Sequence, residues 1–366
     1  MYEQKQNRTN YRRCWPRWII LSELLLDKGY VVHGIIRRTS ITYREHIAHL
    51  EGHPNFHLHY ADLGDATSIM NVISNIRPQE IYNLAAQSHV QVSFDCPEYT
   101  ANIDALGILR ILEAVRHCGL TDSCRIYQAS TSELYGNTPI APQNENTAFH
   151  PYSPYAIAKL YGHWIVQEYR EAYNMFCCSG IMFNHESERR GETFVTRKIS
   201  LAAVRISQGK QDKLYLGNLS SKRDWGYAKD YVECMWMMLQ NEVPEDFVIA
   251  TGEQHSVREF CKLAFHYVGI ELDFIGEGIN EKGVDINTGK IIVEVSQDLF
   301  RPTDVINLLG DPTKACNKLG WQPRKTSFNE LVKLMIQEDT IKVQKDTALR
   351  YHECNLVEFL EKGIVK

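Results

Sequence analysis

Hydrophobic and polar positions divide the first half of the chain into short strands and longer helices. Leu24, Leu25 and Leu26 belong to a helical pattern running from Leu21 and stopped by Gly29, after which Val31-Val32-His33-Gly34-Ile35-Ile36 reads as a buried strand. Phe56-His57-Leu58-His59-Tyr60 alternates and leads into Asp62 and Leu63, and Ile81-Tyr82-Asn83-Leu84 leads into Ala85-Ala86-Gln87-Ser88. A helix face follows through Ile108, Leu109, Ile111, Leu112 and Val115. Arg125–Ser130 is a short, apolar, β-prone run ending at Thr131, and Gly180-Ile181-Met182-Phe183 gives a further strand. Strands alternating with helices predict an α/β fold on a doubly wound parallel sheet, Rossmann-like, and no internal repeat competes with that reading. After Phe183 the texture turns polar and basic. The expected division is a nucleotide-binding domain over residues 1–183, atypical before residue 21, and a smaller α/β substrate domain, mainly over 184–366 and interleaved with the first.

Composition narrows the partners. A formal net charge of -5 disfavours nucleic acid and anionic membranes, and no apolar stretch reaches the length of a membrane span. The basic N-terminus, with Lys5, Arg8, Arg12 and Arg13 ahead of Trp18-Ile19-Ile20-Leu21, superficially looks like a secretory signal, but Arg17, Glu23 and Asp27 break its apolar run. Ten cysteines include no Cys-x-x-Cys pair, so they read as reduced thiols of a cytosolic protein with no metal site. His185-Glu186 lacks the second histidine of a zinc-protease motif.

The candidate chemistry gathers between Arg125 and Lys159. Catalysis in an open parallel sheet collects at the carboxyl ends of strands, and here the strand ends in Thr131-Ser132-Glu133. Ser153 is a good N-cap and Pro154 suits a first helical turn, so Tyr155 and Lys159 fall four apart on one helix face. A neighbouring ammonium favours the phenolate, which makes Tyr155 a candidate general base. Arg37 and Arg38 follow the second strand of the nucleotide fold, where arginine accommodates a 2′-phosphate, and so favour NADP over NAD. Asp62 suits either the adenine amino group or the cap of the next helix. Small residues at Ala85-Ala86 let a cofactor approach the backbone. Arginines at Arg189, Arg190, Arg223 and Arg301, with Lys198, would clamp a diphosphate if they converge.

These residues together resemble the extended short-chain dehydrogenase/reductase superfamily, and within it the GDP-mannose 4,6-dehydratase family. The likeness runs from about Leu21 to about Trp321. Its most specific stretches are Ala129–Gly136, Ser153–Lys159, Asn184–Ser187, Gly191–Lys198 and Arg223-Asp224-Trp225-Gly226. The resemblance implies that Thr131, Glu133 and Tyr155 are catalytic, with Lys159 assisting Tyr155 and holding the nicotinamide ribose. It implies NADP contacts from Arg37, Arg38, Asp62, Leu63, Leu84, Ala85, Ala86, Gln87, Ser88, Tyr99, His185 and Arg190. Ser88, Asn184, Lys198, Arg223 and Arg301 would face GDP-mannose, and the protein would be a cytoplasmic homo-oligomer. Glu133 separates a dehydratase from an epimerase, which needs no carboxyl there, and Ser132 stands where glucose-nucleotide dehydratases carry aspartate. Glu188 replaces the proline usual in the family. The rival readings are another sugar-nucleotide epimerase or dehydratase, and a non-catalytic relative.

One part of the pattern is missing. A dinucleotide fold needs a glycine-rich turn between its first strand and helix, yet no glycine precedes Gly29. Tryptophan has one codon, TGG, so a reading shifted by one base turns Trp15 and Trp18 into glycines whatever follows. With suitable codons the shifted frame from Asn10 spells Ile-Thr-Gly-Val-Ala-Gly-Gln-Asp-Gly-Ser-Tyr. The segment before Leu21 is therefore expected to be a frameshifted copy of the first strand and its phosphate-binding turn.

Overall fold

The computed structural model describes residues 16–38, 47–300, 305 and 307–361. These form two compact units. The first takes in the described residues up to Glu186, Ser221–His255, and those from 305 to Thr326; the second takes in Ser187–Ser220, Ser256–Phe300 and those from Ser327.

Along the chain come α1 (Pro16–Asp27), β1 (Val32–Ile36), β2 (Phe56–Tyr60), α2 (Ala66–Ile76), β3 (Glu80–Asn83), α3 (Val90–Asp95), α4 (Pro97–Asp104), α5 (Leu106–His117), β4 (Arg125–Ala129), α6 (Pro154–Tyr173), β5 (Cys177–Met182) and β6 (Asn184–Glu186). After α7 (Val195–Ser207) and β7 (Leu214–Leu216) come β8 (Lys222–Arg223), β9 (Trp225–Tyr227), α8 (Ala228–Gln240), β10 (Phe247–Ile249) and β11 (His255–Ser256). The remainder is α9 (Val257–His266), β12 (Leu272–Ile275), β13 (Lys282–Asp285), β14 (Ile291–Val295), β15 (Asn307–Leu308), α10 (Thr313–Leu319) and α11 (Phe328–Glu361).

The first unit carries parallel sheet in two pieces: β10-β5-β4-β3 form one and β1-β2 the other. Alternate side chains of β4 and β5 feed opposite layers. Tyr127 and Cys178 join a core with Ile19, Ile20 and Leu25 of α1 and Met235, Met238 and Leu239 of α8. Ile126 and Cys177 join another with Ile69 and Ile73 of α2, Ile108 and Leu112 of α5, and Val166 of α6. Burial of so many aliphatic side chains, at about 1.5–3 kcal/mol each, is what holds the layers together. In the second unit β12-β13-β14-β7 form a sheet and α7 packs on α9 and α11.

Two local expectations change. The helix expected around Leu24–Leu26 begins at Pro16, a residue suited to a first turn, and its buried Ile19-Ile20-Leu21 form the apolar face. Asp62 does not cap the helix that follows it: Asp65 does, its Oδ1 accepting from Thr67 N at 3.0 Å.

Candidate active site

The turn after β4 is built by its own residues. Thr131 Oγ1 accepts from Glu133 N at 3.3 Å, and Tyr135 N donates to Ser132 O at 3.1 Å. Gly136 closes the turn at φ 57°, where an added Cβ would sit 1.9 Å from the His150 carbonyl oxygen, so only glycine fits. The His150 amide in turn donates to Leu134 O at 2.8 Å, fixing the loop that leads to α6. Thr131 is buried and Glu133 half-buried.

α6 starts as its sequence dictates, with Ser153 Oγ accepting from Ala156 N at 3.1 Å and Pro154 in the first turn. Tyr155 and Lys159 are both buried, one helical turn apart, and α6 packs against the Ser132–Leu134 turn. Behind Lys159 lies Asp104, which reasoning from sequence missed. It is the last residue of α4, is buried, and accepts from Gln87 N at 2.7 Å. Burial pushes its carboxyl up to about 7 against the opposing pull of Lys159.

The strand ends gather the other expected residues of this unit. Arg37 NH1 donates to Tyr99 Oη at 2.6 Å and its Nε lies 3.9 Å from Asp62 Oδ2, while the Arg38 guanidinium stands 4.7 Å over the Tyr60 ring. Leu63 packs on α5 at Gly107, where a Cβ would sit 3.1 Å from its side chain. Past Leu84, Ala85 and Ala86, the Gln87 side chain donates to Thr100 Oγ1 at 3.2 Å and accepts from His89 N at 2.9 Å. His185, on β6, hydrogen-bonds through Nδ1 to Phe183 O at 2.7 Å and stacks on Tyr231 at 4.9 Å. β6 pairs with β9, which sets Asn184 beside Trp225, and Gly226 lies so close to Tyr231 that a Cβ would meet its ring at 2.2 Å.

Arg223 is buried on β8 and donates to Lys222 O at 2.9 Å. The next residue, Asp224, is a clamp: its carboxylate accepts from Thr251 N at 2.8 Å, Thr251 Oγ1 at 2.7 Å and Gly252 N at 2.9 Å. Burial nevertheless raises it to about 6. Its importance could be read only from its place in the Arg223–Gly226 stretch.

In the second unit the Arg190 guanidinium lies 3.6 Å over the Phe194 ring. Lys198 on α7 lines a cavity of about 280 Å³ together with Arg205, Lys213, Leu214 and Tyr215, and its burial lowers its ammonium from the usual lysine range. Glu192 lines the same cavity, so its charge is mixed. Arg301 lies outside the described residues. No group of three or more metal-ligating side chains able to hold an ion occurs among the described residues.

A nicotinamide dinucleotide is the cofactor this architecture implies. Ser88 Oγ and Ser130 Oγ, beyond β3 and β4, are buried without a hydrogen-bond partner among the described residues, as groups awaiting a polar ligand are. These two hydroxyls thus fit a polar ligand at the carboxyl ends of β3 and β4. Residues 1–15, where the sequence lacks the expected glycine-rich turn, lie outside the described residues.

A parallel sheet carrying a Thr-Ser-Glu turn at a strand end and a Tyr–Lys pair on the following helix defines an enzyme of the extended short-chain dehydrogenase/reductase class. Residues 19–335 match the family model described as GDP-mannose 4,6 dehydratase. The chain is 56% identical over 333 residues to GDP-mannose 4,6 dehydratase 2 of Caenorhabditis elegans, covering 89% of this chain and 87% of that one. It is 54% identical over 327 residues to the Homo sapiens GDP-mannose 4,6 dehydratase, covering 87% of each. It therefore belongs to the GDP-mannose 4,6-dehydratase family. Its fold is shared by a UDP-glucose 4-epimerase from Thermotoga maritima (TM-score 0.72, 24% identity, covering 89% of this chain and 96% of that one). A dTDP-glucose 4,6-dehydratase from Streptomyces venezuelae is also similar (TM-score 0.72, 18% identity, covering 87% and 92%).

Proposed function

We propose that the protein is an NADP-dependent hydro-lyase that converts GDP-mannose to GDP-4-keto-6-deoxymannose and water. The observation that carries this is the Thr131–Glu133 turn facing the start of α6, where Tyr155 and Lys159 are buried, in a chain of this family. When bound, the cofactor supplies a reversible two-electron oxidation and ends the cycle in the state in which it began.

Tyr155 takes the proton of the sugar 4-hydroxyl as C4 is oxidised, and the Lys159 ammonium steadies the phenolate. Thr131 holds the same hydroxyl. The resulting 4-ketone acidifies the C5 proton, which Glu133 removes. Protonated Glu133 then gives that proton to the departing 6-hydroxyl, which leaves as water, and the C5=C6 bond left behind would take back at C6 the hydride removed from C4 and at C5 one proton, balanced by the one Tyr155 took from the 4-hydroxyl. One carboxyl thus serves as base and then acid on one face of the sugar.

Arg37, Arg38, Asp62, Leu63 and Tyr99 would hold the adenosine phosphate end of NADP, and Leu84–Ser88, Lys159, His185 and Arg190 the rest. Ser88, Asn184, Lys198, Arg223 and Arg301 would hold GDP-mannose. Of these, Ser88, Asn184 and Arg223 belong to the first unit, and Lys198, with the cofactor's Arg190, to the second. A homo-oligomer is supported by Ile157, Tyr161 and Trp164, exposed by 59%, 39% and 54% on one stripe of α6. A cytoplasmic setting accords with the eight free cysteines among the described residues. The test is mass spectrometry of GDP-mannose incubated with the protein and NADP or NAD. Loss of one water with the carbon skeleton intact is expected, faster with NADP, and unchanged GDP-mannose under both conditions refutes the proposal.

A further inference from the structure

The first unit holds a cavity of about 230 Å³ lined by none of the residues expected to meet NADP or GDP-mannose. It lies along α6, where His163, Gln167 and Arg170, spaced by four and then three residues, share one helix face. Facing them are Ile181 of β5, Glu145, the Glu245-Asp246 pair ahead of β10, and Lys314 of α10. Liquid water occupies about 30 Å³ per molecule, so the space equals about eight waters and exceeds what a single ordered one fills.

Most of the charge around it is already matched. Asp246 Oδ1 accepts from Ser179 N at 2.6 Å and from Arg170 NH2 at 2.5 Å, and its Oδ2 accepts from Gln167 Nε2 at 2.9 Å. Arg170 Nε also donates to Cys177 O at 2.8 Å. Lys314 Nζ donates to Asp246 O at 2.8 Å and stands 3.1 Å from Glu245 Oε2, while the other oxygen of Glu245 lies 2.6 Å from Lys318 Nζ. Both cations that line the cavity thus have carboxylates of their own, and an entering anion would have to break those pairs.

Two acceptors are left over. Glu145 Oε1 accepts from Val248 N at 2.7 Å, on the outer edge of β10, and no cation among the described residues pairs with its carboxylate. His163 is 2% exposed, and its Nδ1 is buried with no hydrogen-bond partner among the described residues. Burial holds its imidazole below the usual histidine range, against the pull of Asp246, so near neutral pH the ring is uncharged and has one lone pair to offer. Buried polar atoms in folded proteins are matched, and here the match must come from the cavity. A metal ion does not supply it, since no three ligating side chains converge among the described residues. An unpaired carboxylate oxygen and an imidazole lone pair beside the aliphatic Ile181 select a cation that carries both N–H donors and a short apolar tail. We propose that this cavity is a binding site for a small primary ammonium compound, whose N–H groups are shared between Glu145 and His163 and whose alkyl part lies on Ile181.

The test titrates n-pentylammonium chloride into the full chain by calorimetry, near neutral pH and at fixed ionic strength. One saturable site per chain is expected. Glu145→Gln keeps an acceptor for Val248 N but loses the anion, and should weaken binding about tenfold or more; His163→Phe should do the same. Tetramethylammonium, which has the charge and no N–H, and pentanol, which has the tail and no charge, should each bind about tenfold more weakly or worse. Absence of saturable heat with the unaltered chain overturns the proposal and leaves the cavity to water. Unchanged affinity in Glu145→Gln also overturns it, with the thermal midpoint checking that this variant is folded, so the test stays decisive if His163→Phe does not fold. Equal binding of tetramethylammonium or potassium overturns it as well, because the site then reads charge alone. None of these readouts is catalytic, so the proposal stands or falls apart from the dehydratase reading.

Discussion

The ion pair between Arg197 of α7 and Asp339 of α11 gives a sharp test of the second unit. Arg197 NH2 lies 2.7 Å from Asp339 Oδ1, with side chains 6% and 0% exposed, and Ser200 Oγ donates to Asp339 Oδ2 at 2.5 Å. Solvent does not screen this pair. Arg197→Met removes the cation and leaves the carboxylate in an apolar helix interface, a change that costs about 3–5 kcal/mol in buried pairs. Asp339 also sets how that loss varies with pH. Burial raises its carboxyl to about 6, with Arg197 pulling the other way.

A folded value above the unfolded one, near 3.9, means the unfolded chain releases its proton first as pH rises. The native state therefore loses stability between about pH 4 and 6 and is level above. Without Arg197 the carboxyl rises further, so the decline continues to higher pH. The Arg197→Met loss should be larger at pH 8 than at pH 5. Hydrogen exchange of α7 and α11 amides reads it locally, and Arg197→Met with Asp339→Leu should recover most of it, because no charge is then stranded. A loss below about 1 kcal/mol, or one equal at the two pH values, would refute the argument.

Three further outcomes are expected. Glu133→Gln should yield neither dehydrated product nor deuterium at C5 when incubated with GDP-mannose and NADP in deuterated water, because an amide cannot remove that proton; normal turnover would remove Glu133 from the mechanism. Replacing Arg37 and Arg38 together by alanine should narrow the preference for NADP over NAD in calorimetric titrations, and an unchanged ratio would show that neither reads the 2′-phosphate. Asp224→Ala leaves the buried Thr251 amide without its carboxylate, at about 1–3 kcal/mol before relaxation, while the Thr251 hydroxyl keeps Glu253 O at 3.2 Å, and should raise KM for GDP-mannose more than it lowers kcat by loosening neighbouring Arg223. Unaltered KM with lowered stability would limit Asp224 to a structural role.

The strands of the first unit were legible because each is a short apolar run bounded by polar or glycine residues, and buried parallel strands need little more. The start of α6 was legible to the residue, since a serine cap followed by proline is a local signal that tertiary context did not override. Less could be read where the decisive partner is distant in sequence. Asp104, Asp224 and Asp339 look like ordinary surface acids until the fold buries them against Gln87, Thr251 and Arg197. Asp62 and Asp65 are equivalent as caps on paper, and only the position where α2 begins selects Asp65. The return of Ser221–His255 to the first unit had no local marker either, because the pairing of β6 with β9 joins residues some forty positions apart.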